Sequence, residues 1–586
     1  MLEKTKENLW HNVLPIGLIL LPGIITSFYI NRFAVNVPFW DAWSFVRVLQ
    51  AYTEGGNWLS IIWEPAQAHR LFFPKLIFLL LAQFTDWNVV TQMYVSHLLA
   101  WGSLLILFLL YQKTIGGSLW GFVPVAWLVF SLGQWENILW GWQVSIYLQV
   151  FSFLITIFFL TSQRIFWAII FGIVSSYSFL NGLLIWPIGM LVLIAMRTKK
   201  WFLVAWFFSS VLVIGFYFTN YTFGETQFPE SVNVLEFVTF FLANIGAPLG
   251  GVELMLSTVM GIFVILILLR ISWRKWQYGQ IFELSELEII SGSLLLFAFI
   301  SSVVITIGRV GYGHLDWAKS SRYITITSIG IIGIYFLVLN GFQNNSTRVQ
   351  EHSMLAAFIT VMFVGLITHN LLGIRIGKLK YESRTRMKYA LQNYINQPDN
   401  ALANLTFVDT VKKYAPYLET HNLSSFGETM EVQFLPGVDN RKLYGEILPG
   451  QPLIQKYLCP VPELKDIGIH FFTYSRENSS ELSITLKEGN RILMQDKIPT
   501  QLLQDDKFHY FVLQEPLKEC LNHELSLIIE STNGSSGNAV SVWTYPPYYE
   551  SLSSLSSGNP LSNRVVGLEL NSRDLHIFAP GANNWK

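Results

Sequence analysis

The sequence predicts a multi-pass α-helical membrane protein with about 11 transmembrane helices, followed by an all-β domain. Of its 586 residues, 52% are hydrophobic and only 13% are charged, whereas a soluble protein carries roughly 25% charged residues. Apolar runs long enough to cross a bilayer recur as far as residue 375, and short β-rich runs follow. The zero net charge, without a basic stripe interleaved with aromatic residues, argues against nucleic acid as a partner.

The spans follow from length, because a bilayer core of about 30 Å needs roughly 20 apolar helical residues. The predicted spans are 13–34, 88–112, 119–135, 143–162, 165–181, 183–198, 201–219, 254–271, 289–308, 322–341 and 354–375. The first reads as a retained span and not as a cleaved signal, since no small-residue cleavage site follows it. The apolar segment 71–84 is short, and 234–250 contains Asn244 and Pro248. We predict both as helices at the outer interface, the second with a break.

The loops between the spans alternate in charge, and this alternation predicts which loops face the cytoplasm. One set of short loops is basic, and an excess of Lys and Arg marks the cytoplasmic face. An integral membrane protein with a cytoplasmic N-terminus and an extracytoplasmic C-terminal domain is therefore expected. The predicted parts are a membrane domain at 1–376 with its first external loop at 36–87, a helical connector at 377–428 and a β-sandwich domain at 429–586.

The β-domain is predicted from runs of β-forming residues between turn clusters. These runs are 467–474, 482–486, 508–513, 525–530 and 540–544, and a last run at 574–578 can close a sheet. Their spacing is typical of an antiparallel sandwich. Both cysteines, Cys459 and Cys520, lie here. A disulfide is permitted outside the cytoplasm, but two cysteines do not by themselves establish one.

Candidate site residues gather in the loops assigned to the outer face. Asp41 lies between Trp40 and Trp43, at headgroup level, where a carboxylate can take a proton from an acceptor hydroxyl beside a lipid-linked donor. The alternative is that Asp41 is a helix N-cap. His69 and Arg70 follow in the same loop. A guanidinium fork suits phosphate oxygens, and the alternative is an arginine that snorkels at the interface.

Two further loops carry polar residues. Between 308 and 323 lie Arg309, His314, Arg322 and Tyr323, whose arginines could bind a phosphate headgroup; alternatively Arg309 only pairs with Asp316.

The segment 134–143 holds Glu136 and Asn137 among three tryptophans, which suits a sugar ring, although an aromatic belt gives the same pattern. No metal-ligand motif, P-loop or Rossmann fingerprint occurs. No cofactor is therefore assigned, and a divalent cation is left open.

One stretch resembles a known family. It contains Asp41, Gly55-Gly56-Asn57-Trp58, His69-Arg70-Leu71 with Pro74, Phe84-Thr85-Asp86-Trp87 and a span ending at Lys113. In this order they resemble the GT-C glycosyltransferases, most closely the protein mannosyltransferase and lipid A aminoarabinose transferase branch. The family's paired acids are here Asp41 and Ala42, and its Lys-Pro-Pro-Leu is here His69-Arg70-Leu71. The segment 450–544 is similar to jelly-roll domains of bacterial surface-polysaccharide proteins.

The resemblance implies an inverting hexosyl- or pentosyltransferase that moves a sugar from a polyprenyl-phosphate donor to a glycan, lipid or protein acceptor at the outer membrane face. Asp41 would be the catalytic residue. The residues expected to bind donor phosphate or substrate are Arg70, His69, Arg309, Arg322, Tyr323, His314, Glu136 and Asn137. Two alternatives remain open at this point: a non-enzymatic polysaccharide assembly or translocation protein with a lectin-like outer domain, and a polymerase or ligase of lipid-linked oligosaccharide.

Overall fold

A computed structural model describes residues 13–578, except 67, 222–232, 252, 278–282, 345–348, 393, 398, 428–429, 433–441, 460–462, 519, 521–522, 546–564, 567 and 573–574. The chain divides after Phe426 into two compact units, helical before this residue and β-rich after it. The helices are α1 Leu14–Phe33, α2 Val46–Thr53, α3 Trp58–Trp63, α4 Phe72–Thr85, α5 Val89–Thr114, α6 Val123–Val129, α7 Trp135–Ile138, α8 Val144–Thr161, α9 Ile165–Ser176, α10 Ile185–Ala195, α11 Lys200–Tyr217, α12 Val234–Gly250, α13 Leu254–Gln277, α14 Glu286–Arg309, α15 Ser321–Asn344, α16 Val349–Gln392, α17 Asp399–Leu402 and α18 Val408–Thr420.

Among the described residues, 8 helices are long and apolar enough to cross a membrane, and each corresponds to a predicted span. The other three predicted spans are shorter or broken. The segment 119–135 breaks at Ser131, whose hydroxyl accepts from the Gly133 N–H to cap a short 3-10 turn. Gly133 lies so close to the His369 ring that a Cβ would collide with it. α9 and α10 have only 12 and 11 residues.

The two predicted interfacial segments are both helices. α4 has 14 residues. α12 is continuous over 17 residues, so the expected break within it is wrong. Pro248 lies in the last turn, and the helix ends at Gly251, whose φ of 71° is the left-handed geometry that glycine adopts without a steric penalty.

The connector packs against the first external loop. α16 runs without interruption past residue 376 to Gln392, so no break separates the membrane part from the connector. The Trp40 N–H donates to the Leu405 carbonyl at 2.7 Å, and the Ser424 N–H donates to the Asp86 carbonyl at 2.7 Å. One hydrophobic cluster contains Trp43 and Trp87 of the loop with Leu402 and Leu418 of the connector. These contacts fix the position of the loop that carries Asp41.

The second unit contains two β-sheets. Its strands are β1 Met430–Val432, β2 Lys442–Leu443, β3 Leu453–Leu458, β4 Glu463–Phe472, β5 Glu481–Glu488, β6 Arg491–Pro499, β7 Lys507–Lys518, β8 Glu524–Ser531, β9 Ser541–Tyr545, β10 Val565–Val566, β11 Leu568–Ser572 and β12 Leu575–Phe578. One sheet has the order β1-β12-β11-β4-β9-β10, with β7 also paired to β4 and β2 to β9. The other has the order β3-β8-β5-β6. All six predicted runs correspond to strands.

Cys459 and Cys520 form a disulfide, with their Cα atoms 5.7 Å apart, and both are fully buried. Their separation of 61 residues means that the bond closes a long loop. Because closing such a loop restricts the unfolded chain, the bond stabilises this unit by roughly 4 kcal/mol.

Candidate functional site

Asp41 lies in a 3-10 turn, Trp40–Phe45, directly after the first helix and its short extended tail. The N-cap residue of this turn is Phe39, and the N-cap residue of α2 is Phe45. At neither position does a side chain accept a capping hydrogen bond. Asp41 therefore caps neither helix, and the N-cap interpretation is not what the structure forms.

The Asp41 side chain lines a cleft of about 500 Å³. Residues from the first external loop, α18 and the turn before α8 form its walls: Trp40, Trp43, Ser44, Arg47, Ala66, His69, Leu71, Trp142, Thr406, Phe407, Asp409, Thr410, Lys413 and Tyr414. Several walls are aromatic rings, and polar groups are interspersed among them. A volume of this size holds a small ligand with apolar faces and polar edges, such as a sugar ring.

Two arginines from a distant loop act on Asp41. Burial raises the pKa of Asp41 above the usual value of 3.8, and the positive charges of Arg322 and then Arg309 oppose this shift. The first loop and the 308–323 loop are thus close enough in space for their charges to interact. Asp41, Arg309 and Arg322 were predicted separately from the sequence, and in the structure the two arginine charges reach Asp41, although neither arginine lines the cleft.

His69 faces the same cleft as a neutral imidazole. Burial, as the larger cause, and the positive charge of Arg309 together lower its pKa to about 3. Its ring stacks on Phe179 at a centroid distance of 3.9 Å, and Nδ1 accepts from the Leu180 N–H at 3.4 Å. Since Nδ1 is the acceptor, the proton lies on Nε2, and His69 is a hydrogen-bond donor near physiological pH.

Arg70 has a different environment from the one predicted. Its side chain is 1% exposed, and its guanidinium donates to the backbone carbonyls of Trp63 (2.6 Å), Tyr217 and Thr219. Tyr217 is the last residue of α11 and Thr219 follows just after it, so Arg70 binds carbonyls at the C-terminal end of that helix. It is not among the residues that line the cleft. Its contacts do not support donor-phosphate binding or snorkelling, because burial and the carbonyl bonds hold the guanidinium inside the protein.

We expect Arg70→Met to destabilise the protein by about 3 kcal/mol, because three backbone carbonyls lose a charged donor. A lower unfolding temperature of the detergent-purified protein measures this. The variant that remains folded should keep wild-type affinity for a lipid-phosphate ligand. Unchanged stability together with lost affinity would instead assign Arg70 to the ligand.

Arg322 forms the centre of a second group of contacts. Its Nε lies 3.3 Å from Glu136 Oε1, and Glu136 Oε2 accepts from the Ser321 hydroxyl at 3.3 Å. Asn137 is buried and donates to the Arg322 carbonyl at 2.9 Å and to Thr325 Oγ1 at 2.7 Å. Asn137 therefore holds the start of α15 in place. Glu136 lines a second cavity, of about 220 Å³, and Asn137 lines neither this cavity nor the Asp41 cleft.

The remaining predicted residues, Arg309, His314 and Tyr323, each have a different environment. Arg309 lies over the rings of Tyr312 and Trp317, each at 5.9 Å, while Asp316 pairs with Lys319 at 2.9 Å. The alternative pairing of Arg309 with Asp316 is thus not formed. His314 is exposed beside Trp317, and Tyr323 is half-buried. Neither His314 nor Tyr323 lines a described cavity.

Sequence reasoning missed the contribution of the connector. Asp409, Lys413 and Tyr414 of α18 line the Asp41 cleft. Arg384 of α16 is buried, with its Cζ 3.9 Å from the Phe39 ring centroid. The signal for Arg384 was its place on the apolar side of a helix, where an unpaired charge is rare.

No family model matches the chain, and no curated protein and no solved structure gives a match either. Within the described ranges, no group of three or more His, Cys, Asp or Glu residues is placed to hold a metal ion.

Proposed function

We propose that this protein is an inverting glycosyltransferase that moves a sugar from a polyprenyl-phosphate donor to an acceptor hydroxyl at the outer membrane face. One observation carries the proposal: the Asp41 carboxylate lies in an aromatic cleft of about 500 Å³, under the charges of Arg309 and Arg322. A base inside a sugar-sized space, and cations whose charges reach that base, are the groups that this reaction needs.

The reaction follows from these groups. The acceptor oxygen attacks the anomeric carbon from the side opposite the phosphate, and Asp41 takes the hydroxyl proton. The new bond joins the acceptor oxygen to the anomeric carbon. The bond from this carbon to the phosphate oxygen breaks, and its electron pair leaves with the polyprenyl phosphate. The configuration at the carbon inverts because attack and departure occur on opposite faces.

The surrounding side chains have separate roles. Arg309 and Arg322 stabilise the negative charge that grows on the leaving phosphate, and such preorganised charge is a large catalytic contribution. His69 donates from Nε2 to a sugar oxygen. The faces of Trp40 and Trp142 contact the C–H faces of the ring.

A direct assay tests this function. Purified protein receives a radiolabelled sugar on a short-chain polyprenyl phosphate, together with membranes from cells that lack the protein as the acceptor source. Transfer of label to the membrane fraction, with one free polyprenyl phosphate per sugar, is expected. Glycan binding without release of polyprenyl phosphate would indicate the lectin-like assembly protein instead.

We also propose that the segments at 119–135, 165–181 and 183–198 cross the membrane, which makes eleven crossings and leaves the C-terminal unit extracytoplasmic. The two sheets would face each other as a sandwich, since alternate residues of β4 and β5 are buried, such as Ile467, Ile469, Leu482 and Ile484. A disulfide in this unit fits an oxidising compartment.

The state of the cysteines tests this sidedness. Cells are quenched with acid, and their proteins are denatured in detergent and treated with a maleimide-linked polymer. We expect no mass shift before reduction and two additions after it. Two additions without reduction would place the unit in the cytoplasm.

A further inference from the structure

The Asp41 cleft has buried walls and an exposed opening. The side chains of Trp43 and Leu71 are 1% exposed, and Trp142 is also buried. Four other lining residues are polar and exposed, so they lie where the cleft meets water. We call them the polar rim: Ser44, Arg47, Asp409 and Lys413. A ligand that reaches Asp41 from the aqueous side therefore passes the polar rim.

The helix α18 contributes half of the polar rim and turns one face to the cleft. Its four lining residues occupy positions i, i+1, i+4 and i+5, which lie on one side of a helix: Asp409, Thr410, Lys413 and Tyr414. Lys412 does not line the cleft, and its Nζ pairs with a carboxylate of α17 at 2.6 Å. The two neighbouring lysines of α18 thus differ in whether they face the cleft.

The two cations of the rim can both take an anion. Within the described part of the chain Lys413 makes no ion pair, although Asp409 is four residues away, and its Nζ lies 5.0 Å over the Tyr414 ring. An Arg47 nitrogen lies 3.3 Å from a Glu64 oxygen, with the two side chains 51% and 47% exposed. Such an exposed pair is weak, and the guanidinium has further N–H groups to donate.

The carboxylates of the cleft have stabilising surroundings of their own. Asp409 lies in the first turn of α18, where the partial positive charge of a helix N-terminus favours an anion. The charges of Arg322 and Arg309 act on Asp41. The rim charge that is left for a ligand is therefore positive, and it suits a carboxylate or a phosphate.

The rim cations also differ in position from the arginines that were assigned to the donor. Arg309 and Arg322 lie in the end turns of two helices that are long enough to cross a membrane, where the phosphate of a lipid-linked donor would lie. Arg47 and Lys413 lie outside all eight such helices of the described chain. The rim is thus placed for a ligand that comes from water.

We propose that the polar rim is the acceptor site, and that the acceptor carries an acidic group, a carboxylate or a phosphate, bound by Arg47 and Lys413. This inference deepens the proposed function and rests on it, because only proton transfer to Asp41 makes the ligand at the rim an acceptor. The hydroxyl to be activated then lies at Asp41, and the acidic group lies at the opening of the same cleft of about 500 Å³.

Binding of matched sugars to the purified full chain, measured by saturation-transfer NMR without a donor, tests the site. The probes are glucuronic acid, glucose 6-phosphate and their neutral counterpart glucose. We expect the wild type to bind both acidic probes more tightly than glucose. Arg47→Gln and Lys413→Gln should each weaken the binding of the acidic probes by about three- to tenfold, since each removes an exposed charge-assisted contact. Lys412→Gln, the neighbour that faces away from the cleft, is the matched control and should bind like the wild type.

Two readouts separate charge recognition from folding. Glucose binding should be unchanged in both variants, whereas a damaged cleft would lose glucose as well. Lys413→Arg keeps the charge and should keep the preference for acidic probes, and the double variant Arg47→Gln, Lys413→Gln should bind acidic and neutral probes alike. Wild-type protein that binds no acidic probe more tightly than glucose, or an unchanged preference in the double variant, overturns the proposal.

Farnesyl phosphate, which carries the donor's phosphate without its sugar, identifies the source of the anion. We expect its affinity to be the same in the wild type, Arg47→Gln and Lys413→Gln. Weaker farnesyl phosphate binding with unchanged binding of the acidic sugars would assign the rim to the donor and refute the acceptor site. Because no transfer is measured, these results stand if sugar transfer is absent. Transfer without a preference for acidic probes would refute this inference and leave the proposed function intact.

Discussion

Asp41→Asn is expected to lower the rate of sugar transfer by roughly 10²- to 10⁴-fold, the range for the loss of a general base. Asparagine has the shape of aspartate but cannot accept the proton of the acceptor hydroxyl. Donor binding should change little, because the arginine charges remain. The measurement is kcat and KM with a short-chain polyprenyl-phosphate sugar.

Asp86→Asn is the matched control in the same external loop. Asp86 is exposed and has a φ of 49°, a left-handed conformation that asparagine tolerates well, so the variant should fold and transfer sugar normally. Full activity of Asp41→Asn would eliminate the role of base. Equal losses in both variants would indicate damage to the loop and not to the chemistry.

Arg322→Gln and Arg309→Gln are each expected to lower kcat by roughly 10²- to 10³-fold, or about 3–4 kcal/mol in the barrier. The loss falls on kcat because charge on the phosphate oxygen grows as the glycosidic bond breaks. Arg197→Gln removes an exposed arginine from a loop predicted to be cytoplasmic, and it should retain wild-type rates. A loss confined to KM would mean that the arginines only bind the donor.

The same two variants should change the pH profile. Asp41 works as a base in its ionised form, so activity falls as the pH drops through its pKa. Burial has already raised this pKa, and Arg322 and Arg309 partly oppose the rise. Removing either arginine raises the pKa further and moves the acid limb of kcat/KM to higher pH. Lys413→Gln, also in the cleft wall but without this effect on Asp41, leaves the limb in place.

The long helices and six of the twelve described strands were predictable because their patterns are local. Continuous apolar runs produced the eight long helices, and alternation with turn clusters located strands such as Leu482–Leu486 within β5. The break at Ser131 was not predictable, since it depends on the approach of His369 from α16. β6 was missed because most of its side chains are exposed and it lacks a strong apolar alternation.

The candidate site was also partly predictable, because some of its residues stand out in the local sequence. Asp41, Arg309 and Arg322 stood out as polar residues in loops between apolar runs, and they interact in the structure. Arg70 stood out equally, yet two of its three partners are carbonyls at and just after the end of α11, about 150 residues away in sequence, which no local pattern reveals. Arg384 lay in the predicted helical connector, where its place on the apolar side of the helix was the only local signal, and its packing on Phe39 became visible only in the structure.

The lipids of cells that lack this protein test the central claim most directly. We predict that a polyprenyl-phosphate-linked sugar accumulates in the membrane, that the wild-type chain clears it, and that Asp41→Asn, produced at the same level, does not. Unchanged lipid-linked sugars in the deletion strain, or full clearance by Asp41→Asn, would contradict the account.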